Sequence, residues 1–313
     1  MPFTLHLALA VAASTGLYAT ALLLAPAAAP LVLLVPLPGL LLASRGPAAV
    51  SVLWFVLTTL AVSVIVGPDA APGFVLPLGL PALVLVVGIR RFWSLERTAV
   101  AGVGAWTLGI GALALLAYGD LATLTTTLRE QVSQSIEQVF ATYSSLGSAD
   151  SALSIGPAER ESIVTGLVET LPALVVLSGA FTVLVNLLLA RQWTTTLLHS
   201  PNLRLWRAPD ELIWVLIAAG FAMFIPASVP ALVARNVFIV ILGCYFCQGL
   251  AIVSYYLERF RLPRGLRIAG FVLIAVQHVL TAMVLVLGVF DLWGNFRRLN
   301  AGPADVPFHS DGD

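Results

Sequence analysis

Lysine is absent from this chain, and all sixteen of its basic residues are arginine. That absence removes any GxxxxGK[ST] phosphate loop, whose lysine reaches the phosphates. Arginine-biased codon usage accounts for it more simply than function does. Charge of either sign is scarce: 10% of residues are charged, against about one-quarter in soluble domains. The formal net charge is zero, which argues against nucleic acid as a partner. There are two cysteines, Cys244 and Cys247, both inside one apolar run, so neither a disulfide framework nor a zinc ribbon is expected. At i and i+3 they share a helix face, where small residues suit a packing seam. HExxH, GxSxG and close carboxylate pairs inside an apolar run are also missing. No catalytic residue, metal ligand or cofactor is therefore assigned, and an enzyme is not expected.

What the chain has in quantity is apolar surface: 59% of residues are hydrophobic and the mean hydropathy is +0.97. The expected fold class is all-α, a polytopic transmembrane bundle with the lipid bilayer as its solvent. Apolar runs cover about residues 5–24, 31–43, 50–66, 74–89, 98–118, 171–190, 212–225, 236–257 and 266–290. That makes eight or nine spans, depending on whether 31–43 crosses or re-enters: it is short, and Pro36 and Pro38 interrupt it. The first run is preceded by no Lys or Arg and followed at once by further runs, which fits a retained first helix better than a signal peptide. Gly102, Gly104, Gly109 and Gly111 in the fifth run would let helix backbones approach closely.

Between these runs lies a segment of different character. Leu121, Leu124, Leu128, Val132, Ile136, Val139 and Tyr143 recur at steps of three and four, with Arg129, Glu130, Gln134, Glu137 and Gln138 between them. A second amphipathic helix is expected from Pro157, a favoured first helical position. The segment reads as a helical hairpin at the membrane surface; a disordered loop is the competing reading. The organisation expected is N-terminal transmembrane helices (1–118), an extramembrane hairpin (119–168), C-terminal transmembrane helices (169–299) and a mobile tail (300–313). With the N-terminus inside, eleven arginines fall on one side and five on the other. The richer side is then cytoplasmic and the hairpin external.

Polar residues inside apolar runs are the candidate ligand-binding groups. They are Asn186, Gln248, Gln277 and His278, with Arg235 and Asn236 at the expected start of the eighth run. Each has a local alternative. Gln248, Gln277, His278 and Asn186 could hydrogen-bond between helices, Asn236 could cap a helix and Arg235 could sit at headgroup level. Asp291, just past the ninth run, could pair with Arg297 or Arg298, or cap a short terminal helix.

Three stretches carry a resemblance: Leu205-Trp206-Arg207-Ala208-Pro209 running into Ile213-Trp214; Asn236 followed by Tyr245-Phe246-Cys247-Gln248-Gly249-Leu250; and Gly288-Val289-Phe290-Asp291-Leu292-Trp293 with Asn295-Phe296-Arg297. Over residues 203–299 the chain resembles the bacterial domain-of-unknown-function 2232 family. The resemblance implies a multi-pass protein of the bacterial inner membrane. It also implies similarity to the substrate-binding components of energy-coupling-factor transporters, hence a small-molecule solute and an energising transporter partner. The alternative is a structural protein whose external hairpin contacts an envelope protein.

Overall fold

The computed structural model describes residues 3–24, 27–43, 46–145, 156–193, 203–226, 228–294 and 296–297. Helix dominates these residues and no strand occurs among them. The chain divides into two compact units, Met1–His199 and Ser200–Asp313.

The first unit contains α1 (Phe3–Leu23), a 3-10 helix (Ala29–Leu34), α2 (Leu37–Ala43) and α3 (Ala48–Ile65). A composite segment follows: a 3-10 turn (Pro68–Ala70), α4 (Ala71–Phe74), a π turn (Val75–Gly79) and α5 (Leu80–Arg90). Then come α6 (Leu95–Tyr118), α7 (Leu121–Ser145) and α8 (Pro157–Trp193). The prolines explain the broken second segment. In a 3-10 turn the carbonyl of residue i accepts from the N–H of i+3. For Leu33 and Val35 those donors would be Pro36 and Pro38, which have none. Side chains supply the missing bonds: Asn186 Nδ2 donates to the Leu33 carbonyl at 2.7 Å, and Ser14 Oγ to the Val35 carbonyl at 3.0 Å.

Ser14 is itself the acceptor for Trp54 Nε1 at 3.2 Å. Trp54, wholly buried, packs edge-on to Phe74 at 6.2 Å, and Phe74 packs edge-on to Tyr18 at 5.9 Å. The Tyr18 hydroxyl donates to the Ala70 carbonyl at 3.0 Å. Of the four glycines in α6, Gly102 meets Leu85 and Val183, and Gly109 lies against the Leu76 carbonyl in the π turn. Gly104 and Gly111 face open space. Only one face of α6 uses its small residues for packing.

Leu124, Leu128, Val132 and Ile136 of α7 are half-buried, and α7 packs beside α8. Arg129 pairs with Glu161 and donates to Thr165 Oγ1 at 3.1 Å, while Arg160 lies 4.9 Å from the Phe140 ring centre. The connection between the two helices of the expected hairpin falls largely outside the described residues. The start of α8 at Pro157 agrees with the sequence, but the helix continues through Pro172 and the expected 168/169 boundary.

The second unit contains a 3-10 turn (Leu203–Leu205), α9 (Leu212–Ala222), α10 (Ser228–Arg259), α11 (Arg264–Val276) and α12 (His278–Gly294). Helix α10 begins earlier than expected. Pro230 lies in its first turn, where a missing N–H costs no helical bond. The long apolar run 266–290 is broken: α11 and α12 meet at 100°, and Gln277 between them is extended at φ −98°, ψ 106°.

Among the described residues, six helices are long and apolar enough to cross a membrane: Thr4–Leu23, Ala48–Ile65, Pro68–Arg90, Leu95–Tyr118, Pro157–Gln192 and Val229–Arg259. The bent pair α11–α12 makes a seventh if it is one span. Leu212–Ala222, counted as a span from the sequence, and Ala29–Ala43, left open between crossing and re-entering, are shorter than that length. Large apolar side chains such as Val64, Leu108 and Phe224 stand on the outside, as lipid contact requires.

Candidate functional site

An apolar span gains nothing from a buried carboxylate unless the charge is matched. In the second unit Asp291 is 2% exposed and is matched on every side. Arg297 Nη2 donates to Asp291 Oδ2 at 2.7 Å, and Gln248 Nε2 donates to the same oxygen at 3.1 Å. The Phe296 N–H donates to Asp291 Oδ1 at 3.0 Å. The second guanidinium nitrogen, Arg297 Nη1, donates to the carbonyls of Arg204 and Trp206 at 2.7 and 2.8 Å. Gln248 Oε1 accepts from the Ala208 N–H at 3.0 Å.

The result is a buried clasp that joins α10, α12, the chain before α9 and the chain after α12. Its margin is reinforced by Arg207, which donates to the Leu292 carbonyl at 3.2 Å and pairs with Asp210 at 3.0 Å. The Tyr256 hydroxyl donates to the Phe296 carbonyl at 2.9 Å, and Arg204 pairs with Glu258. Two glycines let α10 and α12 close on it. A Cβ on Gly249 would run into the Val284 carbonyl, and one on Gly288 into the Tyr245 carbonyl.

All three stretches of the resemblance supply this clasp. The first supplies the Trp206 carbonyl and Ala208 N–H, the second Gln248 and Gly249, the third Gly288, Asp291, Phe296 and Arg297. The pairing of Asp291 with Arg297 was one of two sequence alternatives; Arg298 lies outside the described residues. Asp291 does not cap a separate helix starting at Leu292, since α12 runs unbroken to Gly294.

The family match covers residues 12–292, nearly the whole chain, and the matching family is described as predicted membrane protein (DUF2232). The chain belongs to this DUF2232 family. No curated protein and no solved structure matches it. The DUF2232 match ends just beyond Asp291 and before Phe296 and Arg297, so two of the three donors to Asp291 lie past the matched region.

Within this DUF2232 chain the candidate residues fall in different surroundings. Gln248 is buried in the clasp and is not the partner of Gln277 or His278. Asn186 is in the first unit, with its amide nitrogen bonded to the carbonyls of Leu33 and Thr182 and its Oδ1 without a partner among the described residues. Asn236 lies inside α10, not at its N-terminus. Its side chain donates to the Leu232 carbonyl at 2.9 Å, so it is no cap. Arg235 is half-buried on the same helix.

Gln277 and His278 stand at the α11–α12 break with exposed side chains. Neither side chain has a hydrogen bond among the described residues. Thr281 Oγ1 donates to the Ile274 carbonyl at 2.6 Å, closing one backbone group that the break opens. The first N–H groups of α12 have no helical acceptor. The break therefore gathers an amide, an imidazole and free backbone donors within an otherwise apolar run. No group of three or more His, Cys, Asp or Glu side chains suited to a metal occurs among the described residues. Both cysteines are free thiols.

Proposed function

We propose that this chain binds a small polar solute inside the bilayer at the α11–α12 break. The observation that carries this is the 100° bend at Gln277–His278 in the middle of an apolar run. Polar side chains in lipid are costly and are retained where they meet a partner. Broken spans place such groups and free helix ends together at membrane depth, where a solute can replace water. Gln277 can donate and accept, and His278 can do either from one ring. The binding involves no chemical conversion of the solute. The clasp holds α12 at its far end, so that the break is the part free to adapt.

In this reading the protein is a multi-pass component of the bacterial inner membrane. It presents its solute as the substrate-binding components of energy-coupling-factor transporters do, with a separate energising partner. In this reading the α7–α8 hairpin is external, as the arginine count over the nine apolar runs of the sequence expects.

A second reading is favoured by α7. Its outer face, with Glu130, Gln134, Glu137 and Gln138, is exposed over a helix of 25 residues, which is more polar surface than a solute binder needs. Here the hairpin docks an envelope protein. A thermal-shift screen of the detergent-purified chain against polar metabolites separates the two. Solute binding gives a stabilising compound whose effect is lost in Gln277→Leu/His278→Leu and kept when the exposed face of α7 is altered. Docking gives no such compound, and a cross-linked partner that disappears with changes on α7.

A further inference from the structure

A separate feature lies in the first unit, on one side of the α5–α6 pair. The two helices leave an apolar groove of about 550 Å³, lined on one side from Leu76 to Val87 and on the other from Ala105 to Ala112, with Trp93 at one end. Leu76 and Val87 are eleven residues apart, about 16 Å at 1.5 Å per residue. That is close to half of the roughly 30 Å hydrocarbon core, the depth of one leaflet. Small residues make the groove: Gly109 brings α6 against the Leu76 carbonyl, and Ala105 and Ala112 leave the space beside it unfilled.

The Trp93 end is cationic. Phe92 takes a left-handed conformation (φ 53°), which turns the chain sharply after α5. The Trp93 N–H returns to the Gly88 carbonyl at 3.0 Å, setting the indole at the groove mouth. Arg97 lies over that indole, 4.4 Å from its centre. Arg91 and Arg97 are both exposed, and neither has a carboxylate partner among the described residues. Arg90 is tied to the carbonyls of Ala43 and Gly46, and Glu96 is the one acidic residue on this turn. Tryptophan belongs at headgroup depth, and Arg91 and Arg97 beside it meet anionic lipid headgroups there.

We infer that this groove is a site for one anionic phospholipid, its acyl chain lying between α5 and α6 and its phosphate held by Arg91 and Arg97 beside Trp93. A leaflet-deep apolar channel with two unmatched guanidinium groups at its polar end fits that molecule in length, polarity and charge. Free phosphate shares the charge but leaves the channel unused.

The test is native mass spectrometry on the full chain in mild detergent, delipidated and reloaded with phosphatidylglycerol or phosphatidylcholine. One phosphatidylglycerol is expected to be retained at least tenfold better than phosphatidylcholine, and millimolar inorganic phosphate should not displace it. Arg91→Gln/Arg97→Gln should abolish the preference. Ala105→Phe, or Ala112→Phe should the first not fold, should lower retention with both charges intact. Equal retention of the two lipids overturns the assignment. So does an unchanged preference in the arginine variant. Displacement by phosphate together with an indifferent groove-filling variant would show a bare anion site instead.

Discussion

Arg297 and Asp291 form an ion pair at 2.7 Å with 0% and 2% of their side chains exposed. Removing one partner of such a pair leaves the other charge buried and unmatched. Arg297→Met should therefore cost about 3–5 kcal/mol, read as a large fall in Tm of the detergent-solubilised chain. Asp291→Leu/Arg297→Met removes both charges, leaving Gln248 and the Phe296 N–H short of an acceptor at about 1–3 kcal/mol. The double variant is expected to be more stable than Arg297→Met alone. The reverse order would mean that Asp291 has another cation.

Close approach of α10 and α12 depends on Gly249 and Gly288, where an added methyl group meets backbone. Gly288→Ala should destabilise by about 1–3 kcal/mol. Gly104→Ala and Gly111→Ala, on the open face of α6, should be neutral or stabilising by up to about 1 kcal/mol. Thermal melts of the three variants side by side check the contrast.

Ser14 serves as both donor and acceptor between Val35 and Trp54. Ser14→Ala leaves the Val35 carbonyl and the Trp54 indole N–H unpaired in a buried site. The expected cost is about 1–3 kcal/mol for an unsatisfied group. A red-shift or quench in the fluorescence of the chain on this change would report disturbance at Trp54, although other indoles contribute. The variant Trp54→Phe removes that signal and identifies it.

Asp120 caps α7: its Oδ1 accepts from the Thr123 N–H at 2.8 Å and its Oδ2 from the Thr123 hydroxyl at 3.0 Å. The Thr123 backbone bond first, and its side-chain bond second, hold the Asp120 carboxyl below the usual carboxylate range. A depressed folded pKa gives stability that is complete above the unfolded value, about 3.9, and is lost as pH falls through the folded one. Amide exchange at Thr123, corrected for intrinsic rate, should lose protection only in that acid window. Asp120→Asn keeps an acceptor that does not titrate, so its protection should stay level. Identical acid profiles in the two proteins would show that the cap is not what titrates.

The long helices were readable because a continuous apolar run of bilayer length has few other uses. Breaks inside such runs were not. Pro36 and Pro38 marked a disturbance, but nothing local showed that Asn186, 153 residues beyond Leu33, would supply the missing donor. Pro230 sits in the first turn of α10, where proline starts a helix rather than ends one. The polar residues of the last two runs stand out in the sequence, yet their partners do not. Gln248 bonds to Asp291 across 43 residues and to Ala208 across 40, separations that helical periodicity does not reach. Asp291 and Arg297, six residues apart, were close enough to be paired on sequence alone. The bend at Gln277 was invisible, because the run remains apolar on both sides of it.

On the proposed reading, the α11–α12 break receives a solute through Gln277 and His278. It is tested most directly by the thermal-shift screen on the purified chain and on Gln277→Leu/His278→Leu, with far-ultraviolet circular dichroism confirming equal helicity. A polar compound that stabilises the unmodified protein and has no effect on the double variant is the predicted result. The same shift in both proteins, or no shift across the panel, would contradict it.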